Sequence, residues 1–305
     1  AYNTLHNSHA QQEPECCERG GVNEGLMPIT ERDRAVLGAL EAAGGQEPDL
    51  GTYYELHRTL FELLAHARVD ISAELEMLDN AALQARLHEG LPLLSFAQVP
   101  LEPDRFTILV SAVAGLLVRS NPDLEGQTMP DSSAECLALA RQRFEEGQTV
   151  DGQASTRLDK GEGETSLAQM SVDLALKPYL EWAAEQVLPQ VEEARWKRRY
   201  CPVCGGAPDL AFLGEESGTR HLICSRCTSQ WSYRRVGCPS CGTGDHTKLS
   251  YYLSEDEAYR LYVCQACRRY LKVIDLRKVG RQVSFPVERV TTVGMDVAAR
   301  QEGYE

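Results

Sequence analysis

The chain has 305 residues, 43% of them hydrophobic, with 31 Lys and Arg against 45 Asp and Glu and a net charge of −14. Its length allows a substantial core divided over two or three domains, and no run approaches the eighteen or so consecutive apolar residues of a membrane span, the segment 106–118 included. A cytoplasmic protein is therefore expected, and the strongly acidic body speaks against nucleic acid as a partner.

Residues 1–28 are polar and lack periodicity, although they hold His6, His9, Cys16 and Cys17, and they are expected to form a disordered leader. From Thr30 the pattern becomes helical. Tyr53, Leu56, Leu60, Leu63, Ala67 and Ile71 recur at three- and four-residue spacing, as do Phe106, Leu109, Val113, Leu116 and Leu117, so each segment has one apolar face. Thr30 before 31–42 and Asp131-Ser132-Ser133 before 134–145 read as capped starts, and 72–88 adds another helix. Five helices thus precede residue 147, and short connections between one-sided helices predict a bundle across 29–199.

The segment 147–165 is rich in Gly, Ser, Thr and charge and reads as a loop or lid. A helical stretch continues from Ser166 toward Arg199, in which Pro178 and Pro189 are expected to cause a kink or a break. The basic run 195–199 closes it. Trp196 within that run is expected at the junction between the bundle and the cysteine-rich region.

Four Cys-x-x-Cys pairs then fall within 67 residues: Cys201/Cys204, Cys224/Cys227, Cys238/Cys241 and Cys264/Cys267. Each pair supplies half of a tetrathiolate tetrahedron from one turn, so eight cysteines imply two metal ions. Nineteen residues separate Cys204 from Cys224 and 22 separate Cys241 from Cys264, enough for a hairpin out and back, whereas only ten lie between Cys227 and Cys238. Pairing in chain order is therefore favoured over interleaving, with one module at 200–237 and a second at 238–305. Pro202 and Pro239 inside two of the turns, with Gly205 and Gly242 just after them, supply the backbone angles such turns need. The segments before Cys224 and Cys264, and 270–276 after the last pair, read as strands. The end of the chain, from Val290 to Tyr304, reads as a short helix over the second module.

No signal-peptide pattern accompanies the cysteines, so a secreted disulfide framework is disfavoured. Four pairs flanked by Gly and strands also do not fit a thioredoxin-type redox turn. Cys136 reads as a small buried helix residue. His57, His66 and His88 are expected to be surface or packing residues, while His221 and His246 lie near cysteine pairs as candidate hydrogen-bond donors to sulfur. No Walker loop, dinucleotide fingerprint, H-E-x-x-H or nucleophile elbow is present, so no catalytic residues are assigned and a binding or assembly protein is expected. From Arg195 to Arg281 there are 16 Lys and Arg against 8 Asp and Glu, a local charge of +8 that leaves −22 for the remainder. That basic stretch suits an acidic partner, a nucleic acid, or its own acidic half.

The ordered string Cys201-Pro202-Val203-Cys204-Gly205-Gly206, then Arg220 to Cys227, Trp231, Arg235 to Cys241, and Cys264 to Lys272 resembles the FdhE family of formate dehydrogenase accessory proteins. The helical region before it and the ending Met295 to Tyr304 are similar more loosely, and Gln230 stands where an acidic residue is expected in that family. The resemblance implies an α+β chain, an all-helical N-terminal bundle followed by two small rubredoxin-like or zinc-ribbon modules, in a cytoplasmic protein that is not an enzyme. It implies association with the formate dehydrogenase catalytic subunit before export. Carried onto this chain, the first ion would sit on Cys201, Cys204, Cys224 and Cys227 and the second on Cys238, Cys241, Cys264 and Cys267. Ligand chemistry alone makes zinc the default, and the resemblance shifts the expectation toward iron. A zinc-ribbon nucleic-acid binder and a rubredoxin-type electron carrier are the readings from other classes.

Overall fold

The structure, a computed structural model, describes residues 28–148, 165–191 and 196–305. The expected leader with His6, His9, Cys16 and Cys17, most of the 147–165 loop, and Arg195 lie outside the described residues.

The N-terminal part is helical: α1 (Glu31–Gln46), α2 (Gly51–Val69), α3 (Asn80–Glu89), α4 (Pro103–Ser120), α5 (Ser133–Glu146) and α6 (Leu167–Val187). Side-chain caps fix several starts. The Thr30 hydroxyl accepts from the Asp33 amide while the Asp33 carboxylate accepts from the Thr30 amide, and the Ser132 and Ser166 hydroxyls cap α5 and α6. Such caps contribute about 1 kcal/mol each.

Two expectations about helices need correction. The helix expected over 72–88 begins only at Asn80, because Asp79 accepts from the Ala82 amide as its N-cap, and 72–78 runs as irregular chain whose Leu75 and Leu78 still pack on the core. Pro178 does not break α6, which continues nine residues beyond it. An interior proline costs about 3 kcal/mol, but α6 is the hub of the bundle, packed on α2, α4 and α5. Twelve of its 21 residues are buried, Pro178 among them, and that burial outweighs the lost hydrogen bond. Pro189, by contrast, does lie in the 3-10 turn that ends the stretch.

The cysteine-bearing part forms one sheet from β1 (Pro208–Leu213), β2 (Arg220–Cys224), β3 (Gln230–Ser232), β4 (Leu249–Leu253), β5 (Tyr259–Cys264) and β6 (Tyr270–Asp275), in the order β3-β2-β1-β6-β5-β4. Neighbours are antiparallel except at the centre, where β1 runs parallel to β6 with Ala211 opposite Val273. Two three-stranded units, each carrying one set of four cysteines, are thereby fused through the first strand of one and the last strand of the other. Cover on both faces explains why β6 is buried nearly throughout instead of alternating. One face, with Ala211, Leu213, Leu222, Trp231, Leu271 and Val273, joins the same core as α4, α5, α6 and Trp196. Trp196 is 1% exposed there, its indole N–H donating to the Tyr200 carbonyl at 2.7 Å, at the junction expected for it.

The opposite face meets the C-terminal helices, α7 (Phe285–Thr291) and α8 (Val293–Gln301), which divide the single helix expected from Val290. Ala299 and Tyr304 pack on Leu261 and Val263 of β5, so this end does cover the second unit. α7 reaches further, placing Val287 and Val290 against Val36, Leu40 and Tyr54 of α1 and α2.

Candidate metal centres

All four cysteine turns have the same backbone design. In each, the amide of the first cysteine donates to the carbonyl five residues on: Cys201 to Gly206, Cys224 to Ser229, Cys238 to Thr243 and Cys264 to Arg269, all at 2.9 Å. The residue four positions on takes a positive φ, at Gly205 (73°), Thr228 (57°), Gly242 (78°) and Arg268 (56°). The expectation for Gly205 and Gly242 therefore holds. Thr228 and Arg268 adopt the left-handed geometry without a glycine, which costs about 1–2 kcal/mol each and was hidden from the sequence.

These turns bring the eight cysteines into two groups in chain order, the sulfurs of each group lying within 4.8 Å of one another. In the first, Cys201 Sγ lies 3.5 Å from Cys227 Sγ and Cys204 Sγ 3.4 Å from Cys224 Sγ. In the second, Cys238 to Cys267 is 3.7 Å and Cys241 to Cys264 is 3.8 Å. Four thiolates about 2.3 Å from a tetrahedral ion stand about 3.8 Å apart, and a disulfide would need about 2.05 Å. Both groups therefore have the donor set and spacing to hold a metal ion.

The surroundings of the two groups differ. All four cysteines of the first are buried, whereas Cys241 is exposed and Cys267 half-buried in the second. The bundle grips the first group directly: the Leu93 and Leu94 amides donate to the carbonyls of Pro202 and Val203 at 2.9 Å each, and the Tyr200 hydroxyl donates to the Gly90 carbonyl. Arg226 donates its amide to Cys224 Sγ and its guanidinium to the Phe144 carbonyl. Arg289 of α7 donates to the Cys224 carbonyl at 2.8 Å while paired with Asp209. Burial pushes the Cys201 and Cys227 thiols well up. Hydrogen bonds from the other three sulfurs, beginning with Cys201, and the nearby Arg226 pull Cys204 well down. Loading an ion must therefore displace protons.

The second group is bound instead to the end of the chain. Gln265 donates to the Tyr304 hydroxyl, the Glu305 amide donates to the Arg268 carbonyl, and the Arg268 guanidinium lies 4.2 Å from the Tyr304 ring while donating to the carbonyls of Glu302 and Gly303.

The chain matches the family model described as "FdhE, central domain" over residues 200–235. It is 29% identical over 236 residues to the FdhE homolog of Aquifex aeolicus, covering 74% of this chain and 76% of that one. The cysteine-bearing region thus resembles the FdhE central domain, and the similarity to FdhE proteins extends over most of the chain. The chain is also 26% identical over 260 residues to FdhE of Escherichia coli, covering 79% and 76% of the two chains. The crystal structure of FdhE from Pseudomonas aeruginosa shares its fold at a TM-score of 0.54 and 22% identity, over 92% of this chain and 95% of that one.

The histidines play smaller parts than the cysteines. His221 stacks on Phe212 at 4.8 Å, on the sheet face that carries α7. His246 is exposed on the 3-10 turn before β4. His57 lies in α2 with its ring 4.4 Å from Tyr53, and His66 and His88 lie in the last turns of α2 and α3. Cys136 is a buried residue of α5 at 1% exposure. Much of the basic stretch is engaged internally: Arg199 donates to the Ser240 carbonyl and Arg234 to the Gly242 carbonyl, Arg281 pairs with Glu288, and Lys272 with Asp296. Gln230 is exposed on β3. Sequence reasoning did not single out Arg289, whose importance arises from its reaching Cys224 and Asp209, distant in the chain. Among the described residues, no helix is long and apolar enough to cross a membrane.

Proposed function

We propose that this chain is an accessory protein for the biogenesis of formate dehydrogenase. In this reading it binds the catalytic subunit in the cytoplasm before export and protects or tunes its redox state; it is not itself an enzyme. The observation that carries the reading is the pair of tetracysteine groups set in one sheet against a helical bundle, in a chain similar over most of its length to proteins named FdhE. Cys201, Cys204, Cys224 and Cys227 would hold one ion, and Cys238, Cys241, Cys264 and Cys267 the other, with iron favoured over zinc. A tetrathiolate iron supplies a one-electron couple, whereas zinc would serve only to hold the fold.

The chain's own residues do the rest. The Arg226 amide, which donates to Cys224 Sγ, and its guanidinium direct positive charge at sulfur, which stabilises the charged site. Burial of the first group excludes water and suits a structural or protected centre, while the exposure of Cys241 leaves the second open to a partner. The internal engagement of Arg199, Arg234 and Arg268 removes much of the basic face that a nucleic acid would need. Lys197, Arg198 and Arg235 remain exposed for an acidic partner.

Anaerobic affinity capture from the protein's own cells, with nuclease-treated samples beside untreated ones, tests the reading. Recovery of a formate dehydrogenase catalytic subunit whatever the nuclease treatment is the expected result. Recovery of nucleic acid or ribosomal components alone would replace the reading with a zinc-ribbon binder. Metal analysis of the anaerobic sample decides iron against zinc.

A further inference from the structure

Beside the second cysteine group lies a cavity of about 270 Å³. Tyr262 and Leu271 are in its wall, together with Tyr251 of β4 and the segment from Arg235 to Ser240. Arg220, Arg235, Arg260 and Arg269 also line it, and among the described residues no Asp or Glu does. Arg220 is 2% exposed and lies between the rings of Tyr233 and Tyr262 at 5.2 and 5.8 Å. Its Nη2 donates to the carbonyls of Arg234 and Gly237, and its Nε has no hydrogen-bond partner. Arg260 Nε, also buried, is likewise unpartnered, although Arg260 Nη2 reaches Asp275 at 2.6 Å. A buried guanidinium without a carboxylate is costly, and an anion within the cavity would offset that cost. Loaded with a divalent ion, the neighbouring four thiolates would carry two negative charges, which offset only part of this set.

The cavity opens beside an unprotected sheet edge. β4 is the last strand of the sheet. Tyr251, Tyr252 and Leu253 on it are 51%, 51% and 49% exposed, with none of the Lys or Pro residues that usually blunt an edge. The Ser254 amide donates to the Tyr259 carbonyl and the Gln265 amide to the Lys248 carbonyl. By alternation, the amides of Leu249, Tyr251 and Leu253 point away from β5.

We propose that the β4 edge and this cavity together receive an extended peptide segment, which adds as a further strand and places an acidic side chain among Arg220, Arg235 and Arg260. Backbone pairing would provide affinity and the arginine cavity specificity. The proposal rests on the accessory reading for the partner's being a protein, and it specifies the chemistry of the segment recognised.

Fluorescence anisotropy on the full, metal-loaded chain tests it, with a labelled decapeptide of alternating valine and threonine carrying one central glutamate, and the same peptide carrying glutamine. The glutamate peptide is expected to bind at least about tenfold more tightly. Arg235→Glu, at an exposed position, should remove that preference, and Leu253→Pro, which deletes only an outward amide, should weaken both peptides. Equal binding of the two peptides, or none, would overturn the proposal, as would calorimetric binding of benzoate by a chain that takes up neither peptide, which assigns the cavity to small carboxylates. Peptide binding without capture of a dehydrogenase subunit would support the site and sink the accessory reading. Capture unaffected by either substitution would sink the site and leave that reading intact.

Discussion

Gly206 lies against the sulfur of Cys224, so that a Cβ added at Gly206 would stand 3.1 Å from Cys224 Sγ, 3.3 Å from Cys204 Sγ and 2.9 Å from the Arg226 side chain. The close approach lets the chain turn over the first group with no atom between backbone and sulfur. Gly206→Ala is expected to lower metal content from two ions per chain toward one and to cost about 1–3 kcal/mol through overpacking. Gly242→Ala meets nothing nearer than 3.7 Å and should cost only its backbone strain, about 1–2 kcal/mol. Metal analysis of the two variants, with thermal unfolding, separates these effects.

The difference in burial between the two groups predicts two-phase metal release. Cys241 is exposed and Cys267 half-buried, while all four cysteines of the first group are buried. A chelator should empty the second group first, with alkylation by iodoacetamide appearing at Cys241 and Cys267 before any cysteine of the first group. Mass spectrometry of the time course checks the order; simultaneous labelling of both groups would show that they open as one unit.

Asp275, with its side chain fully buried, accepts from Arg277 and Arg260, and the Arg277 and Arg260 guanidiniums hold its carboxyl down at about 2. A depressed carboxyl stabilises the folded chain above its unfolded value of 3.8, and that contribution disappears as pH falls toward 2. Asp275→Asn should therefore cost about 2 kcal/mol at neutral pH. The gap between wild type and variant should narrow in urea titrations run between pH 4 and 2. A gap independent of pH would assign the cost to packing.

Thr228 holds a φ of 57° at the place where two of the other turns use glycine. Thr228→Gly should relieve that strain and, after the greater entropy lost by glycine, raise stability by up to about 1 kcal/mol. Calorimetry of the metal-loaded chain measures it. A loss of about 1 kcal/mol or more would mean that the side chain contributes packing that outweighs the strain.

Much of the site was legible because it is local. A Cys-x-x-Cys turn is five or six residues of chain, and the proline and glycines that favour it sit inside it, so Cys201 to Gly206 and Cys238 to Gly242 announce their geometry. The starts of α1 and α5 were legible for the same reason, since Thr30, Ser132 and their partners lie within three residues. Expectations failed where distant packing decided. Pro178 reads as a kink or a break until α2, α4 and α5 are packed around it; the later start of α3, by contrast, is set by the local Asp79 cap, a signal present in the sequence but not read from it.

The sequence by itself determined the number of cysteine groups and the helical character of the first half, and favoured their membership in chain order, because each depends on residues close in the chain. Only the tertiary structure decided that the two cysteine units share one sheet through the parallel pairing of β1 and β6, whose partners Ala211 and Val273 lie far apart in sequence. It also decided which group is buried, and where the arginines go. Burial and charge pairing depend on which surfaces meet, and here those surfaces come from distant parts of the chain, as when Arg289 reaches the Cys224 carbonyl and Arg220 stands beside the second group.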